Sequence, residues 1–178
     1  PSFVPGKTSL KLGDADPVEL HPMHPSLFRP GNFKQTEFDA SLVYLGWGLP
    51  RDLDKIKGLD LKGTIAVMDF QCSDNWQRFL RFGIQGFIFI GADRYWYQDS
   101  ILKVYNTEVA VPRFFVAKEA GEKIRDVLVQ AQGTKAHIKA EPSVWKNVEM
   151  RDLWVMIPGA NEEMAKDTFV FVAPMDAN

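Results

Sequence analysis

The chain has 178 residues, of which 46% are hydrophobic, 25% charged and 12% aromatic, with 21 Lys and Arg against 23 Asp and Glu for a formal charge of -2. These proportions match an ordinary globular protein and argue against a disordered, collagenous or coiled-coil chain. A domain of this size hides roughly 70% of the surface its unfolded chain exposes, so it affords one full core or a core with a small appendage. No basic cluster longer than a residue or two interrupts the charge mixture, which leaves a nucleic-acid partner without the concentrated positive face that phosphate binding requires.

The longest nearly apolar stretches, residues 42–49 and 87–92, are far short of the roughly 20 residues of a membrane helix, so no direct membrane span is expected here. The chain opens with Pro1 and shows neither a basic n-region nor a hydrophobic h-region, which places the natural start of the protein elsewhere. Its single cysteine, Cys72, excludes internal disulfides and zinc ribbons and does not decide the compartment.

In chain order, residues 1–35 carry prolines at positions 1, 5, 17, 22, 25 and 30 with little periodicity, the pattern of an extended, proline-punctuated leader. Residues 41–47 (SLVYLGW) form a β-rich run, and 50–57 a short helical turn opened by Pro50 and stopped by Gly58. Residues 64–70 (TIAVMDF) are almost continuously apolar, as in a strand covered on both faces. Ser73 or Asp74 then caps a helix whose Trp76, Phe79, Leu80 and Gly83 share one face. Residues 87–90 and 111–116 (VPRFFV) read as further strands, the second with Pro112 near a sheet edge. The most secure helix is 118–131, where Ala120, Ile124, Val127, Leu128 and Ala131 make one stripe and Gly133 ends it.

Residues 134–140 alternate strictly, with Ala136, Ile138 and Ala140 on one face and Lys135, His137 and Lys139 on the other. Residues 147–157 and 168–173 read as two strands of a C-terminal β-hairpin. The fold class is therefore α+β, a strand-rich core flanked by helices.

Few residues suggest catalysis. Cys72 lies between a strand and a helix, where a helix N-terminus can stabilise a thiolate, but it has no evident histidine partner. A thiol hydrolase is thus a remote alternative. His21 and His24 have a ligand-like spacing, yet the flanking prolines forbid the helix that would align them, and His137 reads as a solvated surface residue. Glycines 46, 48, 83, 86 and 91 make no phosphate-cradling pattern. Asp14, Asp16, Asp52, Asp54 and Asp60 read as turn and cap residues, and no metal is assigned. The segment Arg94, Tyr95, Trp96, Tyr97 is the strongest interaction candidate, because three consecutive aromatics cannot all enter the core from one loop and aromatics with arginine are enriched at interface centres. The competing reading packs Trp96 on one end of the barrel or on the leader.

Several motifs together carry a family resemblance. LVYLGWG at 42–48 followed by LDLKGTIAV at 59–67 resembles the opening of a protease-associated (PA) domain, where "VYVGYG" precedes "DVKGKIVLV". GIQGFIFI at 83–90 is similar to that family's "GAAGVLIY", and VPRFFVAKEAG at 111–121 to its "VPAVSISREDG". The resemblance covers residues 36–142 and implies an open β-barrel or sandwich with flanking helices. DLWVMIPGA at 152–160 then resembles "NVIATLPGT", the first strand of a zinc aminopeptidase-like domain, and FVFVAPMD at 169–176 falls where that family shows "VLLGAHYD". Residues 143–178 would thus be the truncated start of a peptidase-like domain.

In the active family the histidine of "AHYD" is a zinc ligand and the aspartate two residues later orients it. Here Pro174 stands at the histidine place, with no lone pair for a metal, while Asp176 keeps the outer place. The parent protein then reads as a pseudo-peptidase, with zinc expected only if the full-length protein retains an altered site. The leader, ELHPMHPSLFR at 19–29, resembles the lead-in of large bacterial envelope proteins with a permease-type membrane portion. The resemblance implies an extracytoplasmic, non-catalytic module that gates substrate access or binds a protein or peptide partner, the remainder of its own chain included. The alternative is an accessory domain of an active zinc-dependent aminopeptidase.

Overall fold

Runs that are apolar at every position need cover on both faces, and two of them, β5 (Ile65–Asp69) and β6 (Gly86–Ile90), lie side by side and parallel at the centre of the structure. The computed structural model describes residues 2–23, 32–104, 109–147, 149, 153–158 and 170–172. The remaining elements are β1 (Ser2–Val4), β2 (Thr8–Leu12), β3 (Val18–Pro22), β4 (Glu37–Tyr44), α1 (Pro50–Leu53), α2 (Tyr97–Val104), β7 (Arg113–Val116), α3 (Lys118–Gln130), β8 (Lys135–Ala140) and β9 (Val144–Lys146). Two 3-10 helices, Asp54–Ile56 and Asn75–Phe82, complete the set.

Seven strands close a barrel in the order β2, β3, β7, β6, β5, β4, β8, while β1 and β9 pair as a separate antiparallel ribbon. From β4 to β7 every neighbour pair is parallel, and the remaining four junctions are antiparallel. Alternate residues of each strand face inward. Leu10, Leu20, Leu42, Ile65, Val67, Ile88, Phe114 and Ile138 thus fill the interior, joined by Ile124 and Leu128 of α3. A second cluster lies outside the parallel strands, where Val43, Ala66, Met68, Phe87 and Phe89 meet Trp76 and Phe79 of the longer 3-10 helix. The fold is therefore α+β, a closed barrel with a few flanking helices.

The closed barrel corrects the reading of residues 1–35 as a draped leader, because β2 and β3 are two of its staves. The prolines do not prevent this: Pro5 lies between β1 and β2, Pro17 precedes β3 and Pro22 is its last residue. Pro112 does not sit at an edge, since the closed sheet has none there; it precedes β7, and its carbonyl accepts the Phe87 N–H at 2.9 Å. On α3 the buried positions are Gly121, Ile124 and Leu128, whereas Val127 is exposed. Gly121 is required there, because a Cβ would lie 2.6 Å from Ile90 and 3.0 Å from Val116.

The chain divides into two compact units, Pro1–Asn147 and Val148–Asn178. Within the second, residues 153–158 and 170–172 carry no regular secondary structure, so the expected C-terminal hairpin is not seen in them. The strand that does form near this point, β9, pairs with β1. Pro174 and Asp176 lie outside the described residues.

Candidate interaction site at the carboxyl end of the parallel strands

Parallel strands deliver their following loops to one end of a sheet, the usual place for function in such architectures. Behind β4, Gly46 (φ +55°) lets the chain turn over Asp52, whose carboxylate accepts the N–H groups of Trp47 at 3.2 Å and Leu49 at 3.1 Å. Trp47 is left 43% exposed on this turn. The Asn75 side-chain amide donates to the Trp47 carbonyl at 2.9 Å, tying the β4 loop to the 3-10 helix that follows β5.

At the end of β5, Asp69 accepts the Tyr44 hydroxyl at 2.9 and 3.1 Å. Burial raises the Asp69 carboxyl above its ordinary value, and burial together with the Asp69 charge pushes the Tyr44 phenol far up. The pair is a fixed structural contact. The loop after β6 is held by Gln71, whose amide donates to the Arg94 carbonyl at 3.3 Å, and by the Lys118–Asp93 ion pair at 2.6 Å.

The three aromatics of this loop separate. Tyr95 stands edge-on to Phe70 with ring centroids 5.3 Å apart and lies 6.0 Å from Phe115, so it anchors the loop while remaining half exposed. Trp96 and Tyr97 are 64% and 71% exposed, and Arg94 is exposed beside them. Tyr97 also opens α2, a helix that was not expected from the sequence. The loops thus bring Trp47 and Arg94–Tyr97 to one end of the barrel, laced together by side-chain to backbone hydrogen bonds.

Beneath the aromatic loop lie two buried cations that sequence reasoning missed, since Lys and Arg are ordinarily placed on the surface. Lys103, the last-turn residue of α2, is fully buried and donates to the carbonyls of Asp99 at 2.9 Å and Ser73 at 3.4 Å. Its ammonium lies 4.7 Å from the Phe70 ring centroid and 5.3 Å from that of Phe89. Ser73 takes the left-handed conformation (φ +55°) at this contact. Arg113 of β7 donates to the carbonyls of Lys103 at 2.9 Å and Val109 at 3.2 Å and stacks over Trp76 at 5.1 Å. Burial lowers both, Arg113 to about 10. Carbonyls and ring faces, together with more distant charge, replace the usual carboxylate contact, and the pair pins α2 to the sheet.

Cys72 is fully buried, and burial pushes its thiol up to about 12, so the thiolate needed of a nucleophile is not present near neutral pH. The helix-end stabilisation anticipated for it is outweighed by desolvation. The His21 ring lies 6.3 Å from that of Phe115, and His24 falls outside the described residues. His137 is on the polar face, as its alternation predicts, but it is engaged with Asp39 and Glu37 rather than simply solvated. Among the described residues no group of three His, Cys, Asp or Glu side chains is arranged to hold a metal ion. No described helix is long and apolar enough to cross a membrane.

No family model matches the chain, and no curated protein does. Among solved structures it is similar to the aminopeptidase from Aneurinibacillus sp. strain AM-1, with a TM-score of 0.52 and 19% identity over 80% of this chain and 32% of that one. The peptidase M28 precursor from Shewanella amazonensis SB2B matches with a TM-score of 0.48 and 15% identity over 79% of this chain and 35% of that one. The chain therefore spans about a third of the length of these structures, and what it shares with the first is its fold.

Proposed function

We propose that the chain is a non-catalytic protein-interaction or substrate-gating module of a larger extracytoplasmic peptidase-like protein, and that Arg94, Tyr95, Trp96 and Tyr97 form its working surface. The observation that carries this reading is the exposure of Trp96 and Tyr97, 64% and 71%, on a loop whose base is anchored by Tyr95, Gln71 and the Lys118–Asp93 pair. Large aromatics held rigidly in solvent are the groups from which interface centres are built. The partner is a protein or peptide, and the remainder of the same protein is one such partner. The PA-domain resemblance of residues 36–142 and the likeness in fold to an aminopeptidase support this role, and the envelope-protein resemblance of residues 19–29 supports the compartment.

The second reading, an accessory domain of an active zinc-dependent aminopeptidase, draws on the same fold likeness. The two separate on the full-length protein by elemental analysis for zinc together with release of N-terminal amino acids from peptides. No zinc and no turnover supports a pseudo-peptidase head. Stoichiometric zinc with hydrolysis would establish the accessory reading, and Trp96→Ala would then slow a long peptide more than a single-residue amide substrate if the loop gates access. Equal effects on both substrates would remove the loop from gating.

A further inference from the structure

The outward face of the antiparallel strands is a ladder of charges. β8 presents Lys135, His137 and Lys139, and β4 sets Ser41, Asp39 and Glu37 directly opposite them. On the other flank β2 places Lys11 opposite His137 and Ser9 opposite Lys139, with Glu19 of β3 beyond Ser9. The His137 ring touches both carboxylates of β4: Nδ1 is 2.8 Å from Asp39 Oδ1 and Nε2 is 2.9 Å from Glu37 Oε1. Lys139 Nζ shares the same Glu37 oxygen at 3.3 Å.

An ionised carboxylate only accepts hydrogen bonds, and a neutral imidazole has one N–H and one bare lone pair. Both contacts are hydrogen bonds at once only when both ring nitrogens carry protons. We propose that His137 is a proton-operated clip that joins the N-terminal half of β4 to β8 as an imidazolium and releases one of its two carboxylates when it loses a proton. One of the two carboxylates, Glu37, also lines a groove of about 530 Å³, together with Lys139, Ser9, Glu19 and Glu141. At the same end of the seam the Ala140 N–H donates to the Thr36 carbonyl at 2.7 Å, so release of Glu37 loosens the last rung beside the groove.

The charged neighbours act in both directions. Lys11, Lys135 and Lys139 oppose a positive ring, while Asp39 and Glu37, the groups in contact, favour it. The net effect is a raised His137 pKa, caused first by the hydrogen bond to Asp39 and then by that to Glu37. A raised folded-state value means that the clip stabilises fully below the ordinary histidine value and is lost as pH rises through the folded-state value. This inference is independent of the aromatic loop and of peptidase relatedness.

The test follows the His137 ring resonance by NMR from pH 5 to pH 9 in the whole chain, together with exchange of the Ala140 amide corrected for its intrinsic rate. The expected result is a His137 midpoint above the ordinary value of about 6.5, which falls in both Asp39→Asn and Glu37→Gln, and Ala140 protection that declines across the same midpoint. In His137→Gln that decline disappears. A midpoint at or below the ordinary value, or the same decline in His137→Gln, overturns the proposal. Should His137→Gln not fold, the two carboxylate variants decide it through the midpoint alone.

Discussion

Where β4 to β7 run parallel the barrel is covered on both faces, whereas the antiparallel strands β8, β2 and β3, with the N-terminal half of β4, are covered only from within. β6 is buried at all of its positions, while β8 alternates between buried Ala136, Ile138 and Ala140 and outward Lys135, His137 and Lys139. The difference teaches where each half holds its polar chemistry. The parallel pairs leave no free face, so their polar side chains lie at the strand ends, Thr64 before β5 among them, and in two buried cations, Lys103 and Arg113. The antiparallel half lays its charges openly along the strands, paired across the seam.

The comparison is broken most forcefully at Trp76, which covers the parallel face and has no counterpart among the described residues of the other half. Its ring is fully buried against Phe87 at 5.2 Å and Phe89 at 6.1 Å and carries the stacked Arg113 guanidinium. Trp76→Ala is expected to cost about 3–5 kcal/mol, while Ile138→Val, which trims one methyl from the barrel interior, costs about 1 kcal/mol. Urea unfolding midpoints of the two variants measure the contrast. Equal losses would mean that the outer cluster contributes no more than the barrel interior does.

The two halves also differed in how plainly they could be read. TIAVMDF and the run after Gly86 declare strands covered on both faces by their unbroken apolar character, and the 134–140 alternation declares a half-exposed one. What was hidden is closure. β2 pairs with β8 across more than 120 residues, Leu12 with Ala136 among them, and no local pattern reports such a pairing. The strands of β2 and β3 are only five residues each and stand among prolines, which made them look like a leader. At the candidate site the outward bias of Trp96 and Tyr97 was legible from three aromatics in a row, but the inward anchoring of Tyr95 depends on Phe70 and Phe115, which are distant in sequence. The burial of Lys103 and Arg113 was illegible for a different reason. Only the folded arrangement supplies the carbonyls and ring faces that make it tolerable.

The sealed side of the parallel half predicts a pH effect of intermediate size. Cys72 holds its proton to about 12 in the folded state because burial disfavours the thiolate, against an ordinary value near 9. Since the unfolded chain loses that proton first, the contribution is complete below the ordinary value and is lost as pH rises from there towards the folded-state value. Stability of the wild type is therefore expected to fall more steeply between pH 8 and pH 10.5 than that of Cys72→Ala, measured by urea unfolding at each pH. Parallel curves would show that the thiol is solvated in the folded state. The same burial predicts that thiol reagents label Cys72 at pH 8 only as fast as the chain opens.

The smallest effect on stability, and the sharpest on recognition, is expected at the carboxyl end. Trp96 is 64% exposed and has no ring partner among the described residues, so Trp96→Ala shifts stability by no more than about 0.5 kcal/mol. Tyr95→Ala costs more, about 1–2 kcal/mol, because it removes two ring contacts that hold the loop to Phe70 and Phe115. Thermal unfolding of both variants orders them, and binding of the remainder of the full-length protein, supplied in trans, gives the second readout. A surface built for a partner loses binding with Trp96→Ala at unchanged stability. If Trp96→Ala destabilises as much as Tyr95→Ala, the indole is part of the barrel's own cover, and the working surface moves to Tyr97 and Arg94.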